Sequence, residues 1–336
     1  MFVAGAALSA VLAWAVVRGV DARAFLKALS EIDVVWIVLG GIVSVAGGWV
    51  RAWRWAMLLP PRSRAGLFGL FKASAIGQLA NFVLPLRGGE VVRVFAVRHP
   101  GVSLSTLAGS VVLERIIDMV FVAVILLVCL AALKLPLPLG RHIVLFELAV
   151  VAASFLLLFL VKYWDAAASF LWRIGGRFGL HPRDGKAWGL LNRFLLAFKA
   201  LLEGGRLLQI LGLTLLVWGV EILVIWLGLR SLRIEAGVLI SGLALGLVVA
   251  GMFFPSLPGG VGTYEFMVVT ALGVQGIGTD RALAGAVVLH GLALAVSILL
   301  GVFSLICSGT GAMALFRVPS NADFAPEKAD IRVVAE

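Results

Sequence analysis

Cysteine is almost missing from this chain of 336 residues: it has two, Cys129 and Cys307, both within apolar runs. A structural disulfide has no support there, and no Cys/His spacing resembles a metal site. No metal and no cofactor are expected. Charge is thin as well, at 14% of residues against 62% hydrophobic, and mean hydropathy is +1.09. A soluble domain cannot hold so little polar surface and stay dissolved. Nucleic-acid binding is a poor reading of the net charge of +10, because no soluble domain is present to carry it. A paired-Asp motif for metal–phosphate binding and a His-x-x-x-Asp helix are also missing. A membrane-embedded transferase acting on a lipid would need a nucleophile or general base beside a donor site. No catalytic residue is therefore expected, and that enzyme is kept only as an alternative.

What fills the space is hydrocarbon. Several stretches reach the roughly 20 apolar residues that cross a bilayer. The fold class is all-α: a polytopic helical membrane protein with about six full spans and two broken or re-entrant helices in an inverted repeat. The spans lie near 2–18, 34–58, 104–133, 141–161, 207–229 and 281–307. A single integral membrane domain covers 1–318, with repeat one at about 34–133 and repeat two at about 207–307. The tail 319–336 is polar, mixed in charge and reads as disordered.

The segments near 66–86 and 236–257 end in the same way. The first runs Gly77 to Pro85 and stops at Arg87-Gly88-Gly89-Glu90. The second runs Leu247 to Pro255 and stops at Pro258-Gly259-Gly260-Val261-Gly262, with Glu265 just after. Each break precedes a long apolar helix with nearly the same string, Leu107 to Leu113 and Leu283 to Leu289. Paired Pro/Gly-interrupted segments in two halves point to a transporter's binding site. Residues 87–98 are too short and polar to cross back, which favours a half-helix.

Basic residues supply an orientation. The 162–206 loop holds eight Lys/Arg against three acids, so the positive-inside rule places it in the cytoplasm. Both termini then fall on that side of the inner membrane. The helices starting the two repeats run in opposite directions, which makes the repeat inverted. Within this loop, Trp164, Phe170, Trp172, Trp188 and Phe194 interleave with Arg173, Arg177 and Arg193. Such stretches lie among anionic lipid headgroups. No basic region precedes the first apolar run, so it reads as a retained span.

Ionisable residues inside a membrane tend to mark function. Glu114, Arg115 and Asp118 begin about ten residues into their span, roughly 15 Å deep at 1.5 Å per residue. His290 is the matched position to Glu114. Glu147 and Glu221 read as bundle-stabilising partners. Two accounts of the carboxylates stay open: Arg115 and Asp118 neutralising each other on one face, and Glu90 and Glu265 capping helix N-termini. Arg51, Trp53, Arg54 and Trp55 read as interfacial anchors. Gly242 and Gly246 read as a close helix-packing pair. The sharper reading makes the Gly88-Gly89 turn, with Arg87 and Arg93, a phosphate site. Its counterpart at Gly259, Gly260 and Gly262 offers backbone N–H groups without an arginine.

The motifs Pro85-x-Arg87-Gly88-Gly89-Glu90-x-x-Arg93, Leu113-Glu114-Arg115-x-x-Asp118 and Pro255-x-x-Pro258-Gly259-Gly260-x-Gly262-x-x-Glu265 resemble a flippase-like family. It comprises the membrane part of lysylphosphatidylglycerol synthases and stand-alone relatives. The resemblance covers about 30–310 and implies movement of a lipid between leaflets, the lipid being a phospholipid, a lipid-linked sugar or a hopanoid-type lipid. Only about 20 polar residues follow the last span, so the synthase activity is not carried over. The residues then point to a translocase for a phosphate-bearing lipid. Arg87, Arg93 and Arg115 would attract the phosphate. Glu90, Glu114, Asp118, Glu265 and His290 would bias protonation. Another reading is an accessory scaffold for lipid-modifying enzymes. A homo-oligomer or a lipid-modifying enzyme is the expected protein partner.

Overall fold

The computed structural model describes residues 2–59, 66–84, 88–97, 104–134, 206–252 and 256–308, with isolated positions between 145 and 169. Most of the predicted span at 141–161 and of the 162–206 loop, and all of the 319–336 tail, Arg87, Glu147 and Pro255, lie outside the described residues. Among the described residues there are ten α-helices and no strand. In chain order they are α1 (Phe2–Val17), α2 (Ala22–Ser30), α3 (Val34–Leu58), α4 (Leu67–Val83), α5 (Gly89–Ala96), α6 (Leu104–Ala132), α7 (Leu207–Arg230), α8 (Val238–Gly251), α9 (Thr263–Gly273) and α10 (Thr279–Ser308).

Length and composition let α3, α6, α7 and α10 cross a membrane. The predicted first span is shorter and bent: α1 turns by 88° into α2, and the two together make a fifth candidate. Asp21 fixes that corner by accepting from the Arg23 N–H at 2.8 Å. Asp33 starts α3 in the same way, accepting from Val35 at 3.0 Å, while its own N–H reaches the Ser231 carbonyl at 2.8 Å beyond the end of α7. Pro60 and Pro61 follow α3 in the sequence and forbid its continuation.

The long helices set the topology. Trp36 meets Trp226, Gly47 meets Val220, and Arg54 meets Thr214. Positions fall along α7 as they rise along α3, so the two helices are antiparallel. The second half therefore repeats the first in the reverse sense. Packing follows the same exchange: α3 on α4, α4 on α5 and α5 on α6 are matched by α7 on α8, α8 on α9 and α9 on α10. The cross-packing of α10 on α4 is likewise matched by α6 on α8.

Helices α4 and α8 have 17 and 14 residues, about 26 and 21 Å at 1.5 Å per residue, short of a ~30 Å core. Each is folded back on by the short helix after it. Gly77 and Gly89 make the first hairpin possible, because a Cβ on Gly89 would stand 2.0 Å from the Gly77 carbonyl oxygen. Asn81 accepts from the Gly89 N–H at 2.9 Å and closes the turn. The second hairpin turns through Gly259, Gly260 and Gly262, at φ of 74°, 77° and 84°, a region that side chains with a Cβ avoid. Gly242 and Gly246 bring α8 against Cys129 and Leu126 of α6, the close packing that their spacing predicts.

Gly89→Ala is expected to cost about 3 kcal/mol, because two backbones must part to admit one methyl group. Gly219→Ala, with nothing within 4 Å of the new Cβ, is expected to be neutral or stabilising. Melting curves of the two variants in one detergent check this, and equal midpoints would refute the close-approach account.

Candidate functional site

Six charged side chains meet in the first half, where α3, α5 and α6 converge. Glu114 and Asp118 are four residues apart on α6 and share a helix face. Arg54 of α3 spans them. Its Nη1 donates to Asp118 Oδ1 at 2.5 Å, and its Nη2 donates to Asp118 Oδ2 and Glu114 Oε1 at 3.1 Å each. Arg93 of α5 takes the other side of Glu114, with Nη2 at 2.5 Å from Oε2 and Nη1 at 3.2 Å from Oε1. Arg115 Nη2 adds a third donor to Glu114 at 3.1 Å. Trp218 of α7 donates its indole N–H to Asp118 at 3.1 Å. The Arg93 guanidinium lies 3.8 Å from the Trp55 ring centroid, and Trp55 in turn donates to Ser110 at 2.9 Å.

Three arginines face three carboxylates, so the cluster is formally neutral. Burial of each charge is costly and is offset only by these contacts. Its members differ in access. Glu114 is 1% exposed, whereas the side chains of Arg115 and Glu90 are 35% and 25% exposed and sit 3.6 Å apart. Arg115 and Glu90 therefore form the open edge of an otherwise sealed network. The Nε atoms of Arg54, Arg93 and Arg115 have no hydrogen-bond partner among the described residues.

The second half holds a smaller constellation. His290 of α10 is buried, with Nδ1 at 2.6 Å from Glu265 Oε1 and Nε2 at 3.0 Å from the Gly259 carbonyl oxygen. Glu265 Oε2 accepts from the Gly262 N–H at 2.6 Å. Tyr264 stacks on the His290 ring at 4.4 Å between centroids. The two hairpins meet here: Phe82, near the end of α4, packs on Gly259 and lies 6.4 Å from the imidazole.

The site residues expected from sequence thus divide. Glu90, Arg93, Glu114, Arg115 and Asp118 come together with Gly88 and Gly89, and Gly259, Gly260, Gly262, Glu265 and His290 form the second group. Both accounts of the acids hold in part. Glu265 does cap its helix, but Asn81 takes that place at Gly89, leaving Glu90 to face Arg93 and Arg115 at 3.6 Å. Arg115 lies 3.7 Å from Asp118, whose stronger partner is Arg54. The interfacial reading of Arg54 and Trp55 is wrong, since both are buried. Trp53, between them, is half-exposed on the opposite face. Two acids one turn apart beside a single arginine were the signal that a second cation was needed. Arg51 pairs with Glu221 across α3 and α7. Among the described residues no group of three His, Cys, Asp or Glu is placed to hold a metal, and Cys129 and Cys307 are free.

Neither the curated proteins nor the solved structures contain a match to this chain. A family model described as the lysylphosphatidylglycerol synthase TM region matches residues 2–301, nearly the whole length. The match spans both hairpins and both charge clusters, and the family ties the chain to membrane lipids. The chain belongs to the lysylphosphatidylglycerol synthase transmembrane-region family.

Proposed function

We propose that this chain is a translocase moving a phosphate-bearing amphipathic lipid between the leaflets of the inner membrane, with no covalent chemistry of its own. One observation carries the reading: two helical hairpins from oppositely directed halves meet at Phe82 and Gly259, each backed by buried ionisable groups. Half-helices meeting between inverted repeats are how many secondary transporters build a substrate site. Irregular backbone at membrane depth is tolerated where it is buried in protein or lines a cavity. The anionic headgroup is argued from Arg115, whose side chain is the most exposed of the three arginines in the cluster. Arg93 serves differently from the expectation: with Glu114 on one side and Trp55 on the other, it holds the hairpin rather than reaching for a ligand. The 162–206 loop would then lie on the cytoplasmic face, among anionic headgroups.

The test is leaflet-resolved movement of a fluorescent phospholipid in proteoliposomes containing the purified chain. Faster movement than in protein-free vesicles is expected. The same preparation, given aminoacyl-tRNA and phosphatidylglycerol, is expected to make no aminoacylated lipid. Synthesis without movement would replace the translocase by the transferase reading.

A further inference from the structure

The two halves hold their short helices to their long ones with the same kind of contact and opposite signs. In the first half the cation is on the short helix and the acid on the long one, as Arg93–Glu114. In the second half the acid is on the short helix and the cation on the long one, as Glu265–His290. Glu114 and His290 follow the matched strings directly. An arginine keeps its charge at any physiological pH, whereas a histidine gains or loses it within that range.

The hydrogen-bond partners of His290 bear on its proton count. Nδ1 faces a carboxylate oxygen and Nε2 faces a backbone carbonyl, so both partners are acceptors. A neutral imidazole has one N–H and one bare lone pair. It would satisfy one partner and turn a lone pair toward the other. Glu265 Oε2 is committed to the Gly262 N–H, so no proton sits there. With the shared proton on Nδ1, the ring is an imidazolium beside a carboxylate, one proton more than a neutral imidazole with a free carboxylate.

We propose that Glu265, His290 and the Gly259 carbonyl form a binding site for one proton, and that its occupancy holds the second hairpin tip against the first. On binding, a proton from water adds to the bare ring nitrogen, and the new N–H donates to Gly259. On release the proton returns to water, the N–H···O=C bond is lost, and the site goes from neutral to singly negative. Gly259 is the residue on which Phe82 packs, so the bond made by the proton sits at the meeting point of the two hairpins.

The charged neighbours do not supply a competing partner. From α9 the ring meets Glu265 and Tyr264. On α7 the acid of the membrane interior is Glu221, which Arg51 of α3 engages. Asp280 and Arg281, at the start of α10, bond to Asp21 and to the Leu232 carbonyl. They lie nine to ten residues before His290 in the sequence, about 14 Å along the helix at 1.5 Å per residue. Arg23 and Lys27 ride on α2, at that same end, and Lys72 of α4 reaches the Cys307 carbonyl at the other end of α10. This proton site deepens the translocase reading by supplying a coupling ion, but its own test needs no lipid movement.

The chain has four histidines, so replacing His99, His142 and His181 by Gln leaves His290 alone to report. Histidine labelled with nitrogen-15 in this variant, reconstituted in lipid, is read by solid-state NMR. At neutral pH both ring nitrogens are expected to carry a proton. Glu265→Gln is expected to lower the ratio of doubly to singly protonated rings about tenfold, the equivalent of one pH unit. A ring that stays singly protonated into mildly acidic buffer overturns the proposal, as does a ring indifferent to Glu265→Gln. Hydrogen exchange in the four-histidine chain covers the case in which a variant does not fold. After correction for intrinsic rates, protection at 258–262 is expected to fall as buffer turns alkaline, while protection at 89–93 stays constant. Equal behaviour of the two segments also overturns it. A confirmed proton site in a chain that moves no lipid would sink the translocase reading alone.

Discussion

Arg54→Met is expected to unfold this protein or to lower its melting temperature on the order of 10 °C, the largest stability effect of any single change considered. The side chain itself is not the reason, since methionine fills similar space. Removing the guanidinium leaves Asp118 with the Trp218 indole and a distant Arg115, and leaves Glu114 with two of its three cations. Breaking a buried ion pair from one side costs about 3–5 kcal/mol, because the surviving charge stays buried without its partner. At a few degrees per kcal/mol for a chain of this size, that gives the drop stated. The charge account makes a further demand. Asp118→Asn in the Arg54→Met background should recover part of the loss, although Asp118→Asn alone should destabilise. Circular dichroism melts of the two single variants and the double variant check this cycle. A double variant no better than the worse single would show that Arg54 matters through packing.

Arg115→Gln is expected to do the reverse: to leave the fold nearly intact and to slow lipid movement about tenfold or more. Its side chain is the most exposed of the three arginines, and Glu114 keeps Arg54 and Arg93 without it. A charge-assisted hydrogen bond to a phosphate contributes about 1.5–3 kcal/mol, and each 1.4 kcal/mol is a factor of ten. Arg115→Lys should fall between, retaining charge and losing the two-pronged donor. Movement of labelled phospholipid, scaled to the amount of folded protein, is the measurement. Undiminished transport by Arg115→Gln would remove this edge of the cluster from the headgroup path. Arg93→Ala does not serve here, because it would strip Glu114 of its closest cation and confound folding with transport.

Much of this architecture was legible before any coordinates. The glycine turns at Gly88-Gly89 and Gly259-Gly260, followed by matching apolar strings, located both hairpins, because a chain that must reverse within a few residues has few other residue choices. The acids on α6 were conspicuous for the same physical reason. The partner of those acids was not. Arg54 sits among Trp53, Trp55 and Arg51, a composition that belongs equally to a span end at the membrane surface. Only the helix's rotation separates the readings, turning Trp53 outward and Arg54 inward. An apolar helix carries little periodic signal for that rotation, since lipid and protein interior accept the same side chains. The bend after α1 was hidden for a related cause: the run from Phe2 has the composition of a span, and the corner is fixed by the Asp21 cap.

The first two helices also brace the second hairpin. Ser9 of α1 accepts from the Leu257 N–H at 2.9 Å and places its carbonyl where a Cβ on Gly262 would meet it at 2.5 Å. Through the corner, α2 lays Phe25, Ala28 and Leu29 against the second half and leaves Leu26 exposed. The second hairpin is thus fitted with an outrigger, and among the described helices the first has no counterpart to it. A hairpin braced this way would tilt together with its amphipathic rod, which in a bilayer would swing through the surrounding lipid. The drag on that swing is set by how tightly those lipids pack. Membrane thickness and lateral pressure would therefore bear on the second hairpin through α2.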